Sequence, residues 1–262
     1  MTTNASSRTA SPGSRPSGAL DEAAASRQVR EMFSRIAPSY DLLNHLLSLR
    51  FDVAWRKRLA RRFQSVLARP NVRVLDLCCG TGDLTLALAA ETRSPNPSSH
   101  GAILGADFAH PMLVRAREKA GRTARHATIE FLEADALALP FADQSFDLVS
   151  TAFGFRNLAN YAAGLAELYR VLRPGGSVAI LEFTEPQSAL FGGLFRFYFH
   201  RILPKLGGIV SGNAQAYGYL PGSVARFPRP AELSRLMEYQ GFERVSAERW
   251  TGGIVALHTA QR

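Results

Sequence analysis

From residue 72 onward, short runs of apolar and β-branched residues alternate with segments of helical spacing. The apolar runs cover residues 72–77, 102–107, 128–135, 147–153 and 177–183. The helical segments between them cover residues 83–90, 111–120 and 158–172. Continuous apolar strands that take turns with helices are typical of a parallel sheet covered on both faces. We therefore predict a doubly wound α/β domain.

The C-terminal part of the chain adds a helix at 230–240 and two β runs at 243–250 and 253–260. Because the connection between these two runs is short, we expect them to be antiparallel neighbours. The prediction is therefore a mostly parallel, seven-stranded sheet. Two helices are predicted ahead of the sheet, at 26–36 and 52–68. Residues 1–25 have too few large apolar side chains to offset the entropy lost on ordering, so we expect them to form a disordered tail.

The segment LDLCCGTGD at 75–83 joins the first strand to the next helix. Gly80 and Gly82, which flank Thr81, allow a sharp turn and the close approach of a ligand. A dinucleotide site would place phosphate at the helix start, where Asp83 would repel it. A nucleotide-like cofactor with a cationic or zwitterionic end fits this loop better, with Asp76 as a carboxylate of the site.

Two further aspartates follow the next two strands. Asp107 ends the second strand, where a carboxylate can bind both hydroxyls of a ribose. Asp135 ends the third strand and precedes Ala136, a pair suited to the edge and flat face of an adenine. Each aspartate alone could merely cap a helix or a turn. Three of them at one edge of the sheet favour a shared ligand.

Beyond this loop and these aspartates, several motifs resemble one family. RVLRPGG at 170–176 is similar to class I S-adenosylmethionine-dependent methyltransferases. The closer resemblance, over about residues 28–262, is to the ubiquinone/menaquinone biosynthesis C-methyltransferases, and its motifs are FSRIAPSYDLLNHLLSLRFDVAWR at 33–56, FGFRN at 153–157, LEF at 181–183, YGYLPGSVARFP at 217–228 and TGGIVALH at 251–258.

The resemblance implies a Rossmann-like methyltransferase domain over 26–262, with a helical cap at 26–70 and an inserted lid on the substrate side at 184–229. It implies that the methyl donor S-adenosylmethionine contacts Thr81, Asp107, Asp135 and Ala136. A serine that contacts the cofactor in some relatives is Ala152 here. The implied reaction is C-methylation of a polyprenylated hydroquinone, and the CCGTG loop favours demethylmenaquinol over the benzoquinol of ubiquinone biosynthesis.

Ring carbon becomes nucleophilic only after a phenol proton leaves, so such a site needs a base or a water relay. Arg156 and Asn157 follow the fourth strand and are candidates to handle the acceptor. Arg156 could stabilise a phenolate, or it could pair with a structural carboxylate. Tyr40, with Asp41 and Asn44, could close over the site as a lid or could cap the following helix.

Residues 1–73 carry 13 Lys/Arg against 5 Asp/Glu, and residues 74–262 carry 18 against 17, so the net charge of +9 divides into +8 and +1. The basic cluster Arg56, Lys57, Arg58, Arg61 and Arg62 shares a predicted helix with Trp55, Leu59, Phe63 and Val66. We interpret it as a solvated helix face and expect no nucleic acid partner. The six histidines show no metal-ligand spacing, and we expect no metal.

The segment at 191–210 interleaves aromatic with basic residues and contains no acid. It suits a prenyl tail or an anionic membrane surface, or it is an ordinary buried amphipathic helix. Adjacent Cys78 and Cys79 cannot form a disulfide framework, so we expect a cytoplasmic protein, at most peripheral to the inner membrane. The sequence does not determine whether the protein forms a homodimer.

Two other functions remain open at this point. An RNA methyltransferase would share the cofactor site. The chain lacks the Asn/Asp-Pro-Pro-aromatic motif of amine methylation. Both cysteines lie inside the cofactor loop, where neither can act as a nucleophile that attacks a ring. A non-catalytic binding protein could keep the fold, although the intact Gly80, Gly82 and Asp107 argue for cofactor binding.

Overall fold

The computed structural model describes residues 13–16, 18–92, 101–122, 128–186, 188, 192–193, 197–198, 201 and 214–262. Within these residues one sheet is built from β1 (Arg73–Leu77), β2 (Ala102–Asp107), β3 (Thr128–Glu133), β4 (Phe146–Ala152), β5 (Leu172–Phe183), β6 (Glu243–Trp250) and β7 (Val255–Gln261). The strand order is β3-β2-β1-β4-β5-β7-β6. The first five strands are parallel, and β7 pairs antiparallel with both β5 and β6. The predicted doubly wound, mostly parallel sheet is confirmed.

The described helices are α1 (Glu22–Ile36), α2 (Tyr40–Leu47), α3 (Phe51–Arg62), α4 (Gln64–Leu67), α5 (Asp83–Glu91), α6 (His110–Gly121), α7 (Tyr161–Val171), α8 (Ala214–Arg226) and α9 (Pro230–Gln240). Short 3₁₀ turns cover Ala37–Ser39, Phe155–Asn157 and Thr251–Gly253. Most boundaries fall within a few residues of the predicted ones. The helix predicted at 158–172 begins later, at Tyr161, because Asn160 caps it by accepting a hydrogen bond from the Ala163 amide.

Apolar side chains of β1 point alternately to the two faces of the sheet, as strand geometry requires. Leu75 and Leu77 join a buried cluster on the side of α7 and α9. Val74 joins a second cluster on the side of α3 and α5. A smaller cluster packs α1 and α2 against α6 and α8. The helical cap is therefore held by apolar contacts at the end of the sheet where the β1 loop lies.

Two predictions about the N-terminal region need correction. The first helix begins at Glu22, not at residue 26, because Asp21 caps it by accepting from the Ala24 amide. The tail boundary predicted at residue 25 therefore lies inside α1. The helix predicted at 52–68 is interrupted at Phe63, where the backbone leaves the helical region.

Burial also corrects the interpretation of the basic helix face. Its predicted apolar side is buried, as expected, at Trp55, Leu59, Phe63 and Val66. Arg56, however, is only 7% exposed and does not belong to a solvated face. No described helix is long and apolar enough to cross a membrane. Most of the segment at 191–210 lies outside the described residues.

Candidate active site at the switch point of the sheet

The strand order reverses between β1 and β4, and a cleft opens at the carboxyl ends of these strands. Open α/β sheets bind ligands at such a point. The space between atoms in the cleft amounts to about 870 Å³ when its opening to solvent is included. Eight of the ten predicted site residues line it, namely Tyr40, Asp76, Gly80, Thr81, Asp107, Asp135, Ala136 and Asn157. Gly82 and Arg156 lie outside its lining.

The loop after β1 turns through several left-handed residues. Cys78, Gly80 and Gly82 have φ values of 54°, 56° and 83°. A Cβ on Gly82 would come within 3.2 Å of Ala116 and Phe131, so glycine is needed there for packing at the start of α5. A Cβ on Gly80 would meet only Tyr40, at 3.8 Å. The backbone at Gly80 is therefore open toward the cleft, which suits the close approach of a ligand.

Asp76 is a fully buried carboxylate beneath this loop. It accepts hydrogen bonds from the hydroxyls of Thr85 at 2.6 Å and Ser150 at 3.3 Å. Burial raises the pKa of Asp76 to about 7, although both hydrogen bonds favour the charged form. A cationic ligand in the cleft would stabilise the ionised carboxylate.

Asp107 fastens the β1 loop to the end of β2. One carboxylate oxygen accepts from the Gly80 amide and the other from the Ala109 amide, both at 2.9 Å. Burial raises the pKa of Asp107, and these backbone hydrogen bonds oppose the rise. A carboxylate offers about four lone-pair directions, so both oxygens can still accept from ligand hydroxyls.

Asp135 lies two residues beyond the end of β3 rather than on the strand. Its carboxylate accepts from the Leu137 amide at 2.9 Å, which forms a local turn. The neighbouring Ala136 is 4% exposed and lines the same part of the cleft. The structure thus brings Asp135 and Ala136 to the position expected for them, although the strand ends earlier than predicted.

The helical cap is tied directly to the β1 loop through Thr81. The Thr81 hydroxyl donates to Asp41 on α2 at 2.5 Å and accepts from the Lys119 ammonium at 3.0 Å. Lys119 also binds Asp41 at 2.9 Å and Asp83 at 2.5 Å. The Thr81 side chain therefore connects the loop with α2 and α6.

Tyr40 forms the wall of the cleft opposite Gly80. Its ring packs edge-on against Phe33 of α1, with ring centroids 6.1 Å apart. Burial raises the pKa of the Tyr40 phenol, and the positive charges of Arg56 and Arg156 act against that rise. At neutral pH the phenol is therefore a hydrogen-bond donor rather than a base.

Arg156 is held in an ion pair behind the cleft wall. Its guanidinium lies 3.1 Å from a carboxylate oxygen of Glu182 and also bonds to the Phe153 carbonyl. The two charged side chains are 7% and 0% exposed. This is the structural pairing that the sequence left open, so direct contact between Arg156 and an acceptor is not what the geometry favours.

The FGFRN segment packs against the cofactor loop through its glycine. A Cβ on Gly154 would lie 2.3 Å from the Cβ of Cys78, so only glycine permits this contact. Ala152 and Phe153 line the cleft beside it. Burial raises the pKa of both cysteine thiols well above their usual value. Cys78 and Cys79 are therefore packing residues rather than nucleophiles.

One grouping in the cap has the residue types of a metal site. Ligand atoms of His45, Asp52 and Asp83 lie within 4.8 Å of one another. The Arg56 guanidinium bonds to Asp52 and lies 3.7 Å from Asp83. Burial alone would raise the pKa of Asp52, but Arg56 and a hydrogen bond from Ser48 lower it overall. Arg56 thus supplies positive charge to this cluster.

Glu182 and Lys119 bond to residues of the site and were not among the predicted residues. Glu182 is a charge inside an apolar strand, and such a residue signals a buried partner. Lys119 carries no comparable signal, because a lysine near the end of an amphipathic helix is ordinarily solvated. Only the packing of α6 against the loop shows that Lys119 bonds to Thr81.

Several solved structures with a similar fold are described as methyltransferases. A Thermotoga maritima protein, described as a possible histamine N-methyltransferase, matches with a TM-score of 0.59 and 19% identity, covering 88% of this chain and 98% of the other. Phosphoethanolamine N-methyltransferase 2 of Haemonchus contortus, solved with S-adenosyl-L-methionine, matches with a TM-score of 0.54 and 14% identity, covering 77% of this chain and 52% of the other. At these identities the likeness concerns the fold.

Closer relatives match in sequence. Demethylmenaquinone methyltransferase of Thermus thermophilus is 51% identical, covering 88% of this chain and all of the relative. The demethylmenaquinone methyltransferase of Deinococcus radiodurans is 49% identical, covering 87% of this chain and 90% of the relative. The ubiquinone/menaquinone biosynthesis C-methyltransferase UbiE of Geotalea daltonii is 40% identical, covering 90% and 96%. Residues 21–262 match the model of the ubiE/COQ5 methyltransferase family, and this chain therefore belongs to that family.

Proposed function

We propose that the protein transfers a methyl group from S-adenosylmethionine to a ring carbon of a polyprenylated hydroquinone and converts demethylmenaquinol to menaquinol. The observation that carries this proposal is the identity of 51% and 49% to two demethylmenaquinone methyltransferases over nearly their whole length. Methylation of the benzoquinol of ubiquinone biosynthesis is the second candidate, because relatives at 40% identity carry both pathway names.

The donor subsite that we propose runs along the carboxyl ends of β1, β2 and β3. S-adenosylmethionine supplies an electrophilic methyl group on a sulfonium. Asp107 would accept from the ribose hydroxyls, and Asp135 with Ala136 would bind the adenine. The open backbone at Gly80 and the buried carboxylate of Asp76 fit the positively charged amino-acid end. Asp76, Asp107 and Asp135 line the cleft and favour a cationic ligand when ionised, whereas Asp83 is paired with Lys119 and Arg56.

The acceptor subsite lies between Tyr40 and Asn157 in this proposal. Both residues line the cleft, so their polar groups can bind the ring oxygens while the methyl donor approaches from the Gly80 side. Asn157 would donate from its amide nitrogen to the oxygen that becomes a phenolate. Arg156 would support the wall of this subsite without contacting the acceptor, because its guanidinium is paired with Glu182.

An acceptor with a prenyl tail must be drawn from a bilayer, and the α2–α3 corner of the cap is suited to contact one. Leu42, Leu49 and Phe51 are 63%, 74% and 49% exposed, and Arg50 lies among them. Leu49 and Arg50 both have left-handed backbones, which hold this corner outward. Exposed apolar side chains beside basic charge fit an anionic membrane surface. We propose that this corner binds the cytoplasmic face of the inner membrane.

Vesicle flotation tests the membrane proposal. The protein should float with vesicles that contain phosphatidylglycerol, and the paired variant Leu49→Asp with Phe51→Asp should remain at the bottom. Val114→Asp, on the exposed side of α6, is the matched control and should float like the parent. Flotation of the paired variant would show that another surface binds the bilayer.

Assays with two acceptors test the reaction. The purified protein with labelled S-adenosylmethionine should methylate a short-chain demethylmenaquinol and should be slower with the corresponding benzoquinol. Deletion of the gene should cause demethylated naphthoquinone to accumulate, as measured by mass spectrometry. Accumulation of demethylated benzoquinone instead would select the second candidate. Methylation of transfer RNA, or donor binding without any transfer, would replace the proposal by one of the two remaining functions.

A further inference from the structure

The side chain of Asn157 is connected by hydrogen bonds to the N-terminal segment of the chain. The Tyr219 hydroxyl on α8 donates to the amide oxygen of Asn157 at 3.2 Å. The Ser14 hydroxyl lies 2.6 Å from the Tyr219 oxygen. A phenol has a single proton, and Tyr219 gives it to Asn157, so Ser14 must be the donor in the second bond. Burial raises the pKa of Tyr219, which keeps that proton in place at neutral pH.

The segment at 13–16, which we call the strap, packs closely against the residues that directly follow Asn157. The Ser14 amide donates to the Leu158 carbonyl at 2.7 Å, and Ser14 is 2% exposed. A Cβ on Gly13 would lie 1.9 Å from the Ala159 carbonyl oxygen, so a glycine is required for this approach. The strap precedes the matched family region, which begins at residue 21.

These bonds fix the position of the Asn157 side chain. Its oxygen faces the Tyr219 hydroxyl, and within the described residues its nitrogen has no hydrogen-bond partner. Rotation of the amide by 180° would reverse both bonds, with Asn157 donating to Tyr219 and Tyr219 donating to Ser14, so the two hydroxyls hold the side chain in place in either arrangement. With the oxygen bonded to Tyr219, the amide nitrogen remains available to a ligand in the cleft that Asn157 lines.

We propose that Ser14 and Tyr219 are positioning residues that hold the Asn157 side chain in place to donate a hydrogen bond to the acceptor's ring oxygen. The proposal rests on the proposed function, because it assumes an acceptor whose oxygen gains charge during methyl transfer. A donor fixed before the reaction stabilises that charge without reorganisation. Neither positioning residue lines the cleft, so both act through Asn157.

The variant Tyr219→Phe removes only the hydroxyl. We expect kcat for the quinol to fall roughly tenfold, since one hydrogen bond that orients the donor is lost. The dissociation constant of S-adenosylmethionine, measured by calorimetry, should stay within about twofold, because neither positioning residue lines the cleft. Tyr239→Phe is the matched control, because Tyr239 is 93% exposed on α9, and its kcat should equal that of the parent.

A double-mutant cycle separates positioning from support of the fold. In the background Asn157→Ala, we expect Tyr219→Phe to cause no further loss of kcat, because the amide that it orients is absent. Ser14→Ala should lower kcat by a smaller factor in the parent and by none in Tyr219→Phe. Thermal unfolding verifies that each variant is folded. If Tyr219→Phe does not fold, Ser14→Ala still tests the proposal.

The outcomes distinguish the two proposals. A parent protein that binds the donor but transfers no methyl group to a quinol overturns the proposed function, and this inference with it. An active parent whose kcat is unchanged by Tyr219→Phe overturns the inference alone. Losses that multiply across the cycle also overturn it, because they would mean that Tyr219 and Asn157 act independently.

Discussion

Asp76→Asn should change how the stability of this protein depends on pH. The buried carboxylate has a pKa of about 7 in the folded protein, against 3.8 as its ordinary value. The folded state therefore holds a proton that the unfolded chain releases near pH 4. The stabilising contribution of that proton is complete below pH 4 and is lost as pH rises through 7.

The size of the effect follows from this difference in pKa. A difference of about three pKa units corresponds to about 4 kcal/mol when the group is fully ionised, and we take this as an upper bound. An asparagine carries no charge and can exchange hydrogen bonds with the hydroxyls of Thr85 and Ser150. Between pH 4 and pH 8 the variant should therefore gain up to that amount of stability relative to the parent.

Urea unfolding at pH 4, 6 and 8 measures this difference directly. Thr85→Val removes a hydrogen bond that favours the charged carboxylate, so its stability should go on falling to a higher pH than that of the parent. Parallel pH curves for the parent and Asp76→Asn would refute the reasoning, because they would show that Asp76 is ionised at no cost in the folded protein.

Binding of S-adenosylmethionine provides a second test of the protonation state of Asp76. A cationic ligand beside Asp76 favours its ionised form, so binding below pH 7 should release a proton. Affinity for S-adenosylmethionine should therefore rise with pH up to about 7 and then level off. Calorimetry in two buffers with different ionisation enthalpies counts the released protons. The same count in Asp76→Asn would assign the release to another group.

Three further substitutions test the site by donor calorimetry or by unfolding. Gly80→Ala should weaken donor binding at least tenfold, since it adds a methyl group at the open face of a left-handed residue, whereas Gly121→Ala, with free space around its Cβ, should leave binding unchanged. Asp107→Ala should weaken donor binding by about 1–3 kcal/mol through unpaired ribose hydroxyls, and unchanged affinity would remove it from the donor subsite. Arg156→Ala should lower the free energy of unfolding by about 3–5 kcal/mol, because it leaves Glu182 buried and unpaired; a loss under about 1 kcal/mol would contradict the buried ion pair.

Much of the fold could be predicted because its signals are local. The periodicity of apolar residues separates strands from helices, and the short link between β6 and β7 predicts their antiparallel pairing, which is observed. The strand-end aspartates were placed at one edge because parallel strands share the direction of their carboxyl ends. Asp107 therefore could be predicted to lie beside the Gly80 loop, and the two are hydrogen bonded.

The sequence was less informative wherever a partner comes from a distant segment. Arg56 belongs to a run of basic residues and has the pattern of a solvated face, yet packing of α3 against α5 buries it between two aspartates. Arg156 follows a strand like a site residue, but its partner Glu182 is 26 positions away. No local pattern encodes such pairs, because each of them forms only when two elements pack together.

Local patterns along the chain were enough to establish a doubly wound sheet, a glycine turn and three acidic strand ends, because backbone sterics and apolar periodicity act over a few residues. Packing of distant elements decided which of the polar groups face the cleft. It placed Arg156 behind the wall, and it brought Ser14, which was expected to lie in a tail, to Tyr219 across 205 positions of sequence. The physical reason is that burial, charge pairing and hydrogen-bond direction depend on neighbours that only the folded chain supplies.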